Sequence, residues 1–141
     1  MWHHRAAAAG EPEAFDMSSS WPSSWQGSTS IDCGEDGTFT AVVTCEGQPV
    51  GIHAKNFELI ASRWHELWPE FRHIITELTK SHGTKGPHWS HVNCVYIDCP
   101  TEPIVEGAEW SIGVVFSGDS TLWSLPYQGW SACPDQAQAI H

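Results

Sequence analysis

Fixed positive charge is scarce in this 141-residue chain, and it stops early. Six Lys and Arg stand against seventeen Asp and Glu, a formal charge of −11 with His neutral. No Lys or Arg follows Lys85, while Asp98, Glu102, Glu106, Glu109, Asp119 and Asp135 all lie beyond it. Displacing counterions from phosphate needs a basic stripe, so direct nucleic-acid binding is not expected. Attraction to anionic membrane surfaces is disfavoured on the same ground. A basic protein is the partner that such a charge balance admits, although acidity also serves solubility alone.

Long apolar runs are missing as well. No stretch approaches the ~20 apolar residues of a membrane span. The opening MWHHRAAAAGEPEAF offers only four consecutive alanines, too few for the core of a signal peptide. A cytoplasmic location is the resulting expectation. The five cysteines, Cys33, Cys45, Cys94, Cys99 and Cys133, are odd in number. Without a secretion signal they predict reduced thiols, not a disulfide framework. The chain also lacks a Gly-rich phosphate loop, a dinucleotide fingerprint, a G-x-S-x-G elbow and an H-E-x-x-H pair. No convergent acid, base and nucleophile is legible, so a non-enzymatic role is preferred, and enzymatic use of the His/Cys cluster at residues 82–99 stays open as part of the alternative reading.

What is present divides into three segments. Residues 1–37 include MSSSWPSSWQGSTS, rich in Ser and Trp with no apolar period, and are predicted to be disordered or loosely attached. Met17 opens that Ser-rich stretch and is a candidate initiator. Residues 38–132 read as one α+β domain and residues 133–141 as a flexible tail.

Within the domain, TFTAVVTC and PVGIHA read as a hairpin about Glu46-Gly47. That register sets Val43 opposite Val50, Ala41 opposite Ile52 and Phe39 opposite Ala54. Residues 56–83 carry Ile60, Trp64, Leu67, Trp68, Phe71, Ile74, Ile75 and Leu78 at helical spacing. Asn56 is the predicted N-cap and Gly83 the predicted stop. Pro69 must kink this helix or begin a second, and the unbroken stripe favours one kinked helix. HVNCVYID reads as an interior strand. AEWSIGVVFS and TLWSLPY flank Gly118-Asp119 in a register that sets Val114 beside Trp123 and Ile112 beside Leu125. The predicted fold is α+β, in the order ββαβββ: a mainly antiparallel five-stranded sheet with one long helix on one face.

Two groups of residues are candidates for function. Trp89 and Trp130 fall in loop-like segments near strand ends and, with Tyr127, could form a stacking platform beside the acidic Glu102 and Glu106. A non-enzymatic binding protein with a basic partner is the preferred reading. In size, charge and α+β pattern the chain is similar to small acidic bacterial immunity proteins that neutralise basic toxins, an analogy that no motif accompanies. The alternative is a metal- or ligand-binding domain, with His88, His91, Cys94 and Cys99 around zinc and His82 just upstream. Odd spacings within a strand send His91 and Cys94 to opposite faces, which weighs against that site. Cys99, before Pro100 in a polar stretch, is the predicted exposed thiol.

Protonation of all nine histidines moves the charge from −11 to −2, and carboxylate protonation carries it further. Solubility is expected to be poor near about pH 5, where self-repulsion vanishes. Turbidity across a pH series checks this, and a clear concentrated solution at that pH contradicts it.

Overall fold

A computed structural model describes residues 24–46, 51–83 and 87–141. Strand β1 (Ser24–Asp32) leads through a short turn into β2 (Thr38–Glu46). Helices α1 (Gly51–Ser62) and α2 (Trp64–Ser81) follow. Then come β3 (Val92–Asp98), β4 (Glu109–Phe116), β5 (Leu122–Gln128), β6 (Ser131–Ala132) and β7 (Gln138–Ile140). The architecture is α+β, with a seven-stranded mixed sheet in the order β1-β2-β3-β4-β5-β6 and β7 also paired to β5. All pairs are antiparallel except β2–β3, which is parallel. A parallel pair needs a long crossover, and the two helices supply it.

The helical stripe behaves as its spacing predicts. Trp64, Leu67, Trp68, Phe71 and Ile75 are buried, and Ile74 and Leu78 pack against the same core. Arg63–Glu66 at 3.1 Å, at the start of α2, and Lys80–Glu77 at 3.4 Å, near its end, are ion pairs with largely solvent-exposed side chains. Each contributes about 0.3 kcal/mol. The predicted single helix is, however, two. The break falls at Arg63, whose amide is shared between the carbonyls of Leu59 and Ile60 at 3.2 and 3.1 Å. Pro69 lies inside α2, where it is exposed.

The predicted strand at residues 49–54 is also corrected, because α1 covers Gly51 onward. His53, Asn56, Phe57 and Ile60 are its buried residues, at spacings of three and four. That face outweighs the short alternation of Ile52 and Ala54. Residues 47–50, with the proposed turn and Val50, lie outside the described residues. Ala41 pairs instead with Thr29 on β1 and Val95 on β3, and Phe39 with Ile31.

The sheet extends into both terminal segments expected to lie outside it. Within residues 1–37, Ser24–Asp32 pair with β2 along nine residues; Met17 and Trp21 lie outside the described residues. A polar strand can occupy an edge because its neighbour's backbone, more than apolar contact, holds it there. Only Gly27 and Ile31 of its described side are buried. At the other end, Gln138–Ile140 pair with Leu122–Ser124, so the presumed tail contributes β7.

The β4–β5 hairpin has the predicted register, with Val114 opposite Trp123 and Ile112 opposite Leu125. Its turn is one residue earlier than expected: the Asp119 amide donates to the Phe116 carbonyl at 3.1 Å, and Gly118 takes the positive φ of 82°. β3 is an interior strand with a bulge between Val92 and Cys94. The bulge lets Val92, Val95 and Ile97 share the face toward the helices, opposite Phe116, Val114 and Ile112. Cys94 and Tyr96 take the opposite face.

Trp89, on a 3-10 turn before β3, completes the core beneath α2. Its ring meets Trp68 at 5.4 Å, Phe71 at 6.1 Å and Phe116 at 5.0 Å, all edge to face. Its indole N–H donates to Thr76 Oγ1 at 3.1 Å. Among the described residues no helix is long and apolar enough to cross a membrane.

Trp89→Ala should therefore cost about 3–5 kcal/mol of stability, as for other buried Trp truncations. Chemical denaturation measures it. A loss under about 1 kcal/mol would show that Trp89 does not hold the core.

Candidate functional site

The turn between β1 and β2 is built from IDCGEDG, residues 31–37. Gly34 and Gly37 take φ of 68° and 119°, a region that favours glycine. Asp32 Oδ1 accepts the Gly34 amide at 2.9 Å, and the Cys33 amide donates to the Gly37 carbonyl at 2.8 Å. This closed turn docks on α2 through three side-chain contacts. The Trp64 indole N–H donates to Cys33 Sγ at 3.4 Å, and that of Trp68 to Asp36 Oδ2 at 2.8 Å. Arg72 Nη1 lies 3.1 Å from the same Asp36 oxygen.

A groove of about 500 Å³ lies between the turn and the helices. Its apolar lining comes from Ile31, Ala61, Trp64, Trp68 and Pro69. Its polar lining includes Asp32, Glu35, Asp36, His65 and Arg72. Asp36 is matched by Arg72, whose guanidinium also lies 5.4 Å from the Trp89 ring centre. Among the described residues no Lys or Arg pairs with Asp32 or Glu35, both exposed. The groove therefore has an apolar floor and a net acidic rim.

The thiols nearby do not suit nucleophilic chemistry. Burial, helped by the charges of Asp36 and Asp32 and opposed by the Trp64 N–H, pushes the Cys33 thiol up to about 12. Burial, with Asp98 adding, pushes Cys45 up to about 11. Cys94 is raised by burial, and Cys99 well above its ordinary value by burial, then Cys45 and Asp98. A thiol held protonated is a poor attacking group.

The His/Cys candidates do not gather. His88 and His91 are exposed on either side of Trp89, with ring centres 5.5 Å apart. Cys94 is buried on the face of β3 opposite Val95 and Ile97. Cys99 lies under α1, its Sγ 3.9 Å from the His53 carbonyl oxygen. His82 instead meets Trp123 edge to face at 5.5 Å. Among the described residues no three His, Cys, Asp or Glu side chains are placed to hold a metal. Cys94 and Cys99, an odd number of positions apart with no bulge between them, take opposite faces, while His88 and His91 lie at the 3-10 turn before β3. Cys99 is not the exposed thiol expected before Pro100; it is 3 % exposed, and Cys133 is the more accessible one.

The aromatic platform is not on the surface either. Trp89 is 7 % and Tyr127 1 % exposed. Tyr127 stacks on Trp110 at 4.6 Å, and its buried hydroxyl has no hydrogen-bond partner among the described residues. Burial, with the charge of Glu70 adding, raises its phenol. Trp130 is half-buried between Trp110 at 6.2 Å and the Arg63 guanidinium at 4.5 Å. Loop position misled in both cases, because each loop folds its ring back over the core edge. Glu102 and Glu106 are exposed on a loop pinned by Asn56. That side chain donates to the carbonyls of Pro100 and Glu102 at 3.1 and 2.8 Å and accepts the Ile104 amide at 3.2 Å. Asn56 is thus an interior clamp within α1, not the predicted cap.

The groove residues Asp32, Glu35 and Asp36 were hidden by their place in a segment that reads as loose. The signal for them was local: two glycines bracketing two acids after Asp32-Cys33 mark a turn. Comparisons with protein-family models, curated proteins and solved structures found no match.

In the native protein a thiol-labelling reagent should modify Cys133 rapidly and the other four cysteines far more slowly. Mass mapping of short labelling reactions reads this out. Equal labelling of Cys33 or Cys99 would contradict the burial that raises those thiols.

Proposed function

We propose that this chain is a non-enzymatic binding protein that receives a basic protein partner, with a Lys or Arg side chain of that partner seated in the groove between the β1–β2 turn and α2. The observation that carries this reading is the pairing of an apolar floor, Ile31, Trp64 and Pro69, with the rim carboxylates Asp32 and Glu35. A Lys or Arg side chain has the complementary make-up, an apolar stem and a cationic head. The overall charge of −11 draws a basic partner toward the surface before contact. Protonated, buried thiols support a binding role over a catalytic one, and reduced cysteines suit a cytoplasmic setting. The analogy with acidic immunity proteins rests on the same charge logic and on no shared motif.

The test is titration with a Lys- and Arg-rich peptide. Asp32→Asn with Glu35→Gln should weaken binding roughly tenfold, equivalent to about 1.4 kcal/mol. Glu102→Gln with Glu106→Gln should change it little. Affinity should fall as salt rises past about 0.15 M. If the two pairs of substitutions act equally, the attraction is diffuse and the groove is not the site.

A further inference from the structure

Among the described residues the sheet has one parallel seam, between β2 and β3, and a buried cysteine follows its last pair on each chain segment. The pairing runs Ala41 with Val95, Val42 with Tyr96, Val43 with Ile97 and Thr44 with Asp98. Cys45 and Cys99 are the next residues along the two segments, and the same offset carried one step further would set them side by side. The Cys99 amide donates to the Thr44 carbonyl at 2.7 Å, a bond that closes the Thr44–Asp98 pair and holds Cys99 against β2 one residue before Cys45. Neighbouring strands lie ~4.8 Å apart, within the roughly 4.4–6.8 Å between Cα atoms that a disulfide bridges.

The side chains share a face too. Val43 and Ile97, two residues earlier on each strand, are buried toward the helices. With a period of two, Cys45 and Cys99 project the same way. They are 2 % and 3 % exposed, and both are free thiols. After burial, Cys45 contributes to raising the Cys99 thiol, in keeping with the two lying in one neighbourhood.

We propose that Cys45 and Cys99 form an oxidisable dithiol, which a low-molecular-weight disulfide converts into an internal bond joining β2 to β3. One cysteine sulfur, as thiolate, attacks the reagent's S–S bond and releases one reagent thiol. The second cysteine sulfur displaces the remaining reagent group, which leaves as the second thiol. Two protein thiols become one disulfide and one small disulfide becomes two thiols, so hydrogens and electrons balance. Attack needs a thiolate and access, and burial denies both to the resting protein. The exchange is therefore slow and follows transient lifting of α1 from Cys99, which lies against His53 of that helix. The bond closes the chain between residues 45 and 99, a loop that contains both helices. Constraining so long a loop disfavours the unfolded chain. Oxidation would thus tie down α2, one wall of the groove, without touching the groove itself.

The experiment is prolonged incubation of the full chain with oxidised glutathione, followed by intact mass measurement and peptide mapping without reduction. The expected product has lost two hydrogens per chain, yields a peptide linking Cys45 to Cys99 and melts at a higher temperature until dithiothreitol is added. Cys94→Ser and Cys133→Ser should still form it, whereas Cys45→Ser and Cys99→Ser should not. If either of the last two fails to fold, the peptide map of the unsubstituted chain decides alone. A linkage to any other cysteine, glutathione adducts without an internal bond, or unmodified Cys45 and Cys99 would each overturn the proposal.

Discussion

Trp68 is the point on which the rest of this structure turns. Its ring lies 5.7 Å from Trp64 and 5.5 Å from Phe71 in stacked contacts, and 5.4 Å from Trp89 edge to face. It thereby joins the stripe of α2 to the turn that enters β3. Its indole N–H meanwhile holds Asp36 at 2.8 Å and so fixes the β1–β2 turn against the same helix. A large apolar body with one polar edge can serve core and site together, which neither Phe nor Leu could do. Helix, sheet and groove wall are coupled through this residue.

The electrostatics of the groove follow from the same node. Asp36 is mostly covered, and a covered carboxylate needs both hydrogen bonds and a countercharge. Trp68 and Arg72 supply them. Arg72 is then committed, since its guanidinium is shared between Asp36 and the face of Trp89. Asp32 and Glu35 remain on the rim without a basic partner among the described residues. The acidic character of the groove thus arises because Arg72, the arginine among the described residues that line it, is used for structure. At the other end of the helices Asn56 does comparable work without charge, satisfying three backbone groups of the loop that carries Glu102 and Glu106.

Parts of this arrangement were legible in the residues. The stripe from Trp64 to Leu78 and the Val114–Trp123 register could be read because each repeats a strong apolar signal at one period. Trp64, Trp68, Trp110 and Trp123 fell on those faces and are buried. The errors occurred where periodic signals were short or absent. Ile52 and Ala54 alternate over too few positions to exclude a helix, and β1 is polar because an edge strand can be. Trp89, Tyr127 and Cys99 sit at strand ends, where sequence cannot say whether a side chain turns outward or folds back.

Sequence by itself determined the charge balance, the α+β class, the apolar face of α2 and the absence of common catalytic motifs, because these depend on composition or on neighbours a few residues apart. Tertiary structure alone decided that β2 lies parallel to β3, that Asp32 and Glu35 face α2 across a groove, and that His88, His91, Cys94 and Cys99 stay apart. Those outcomes rest on contacts between residues tens of positions distant. Such contacts are set by how the helices cover the sheet, and local periodicity carries no record of them.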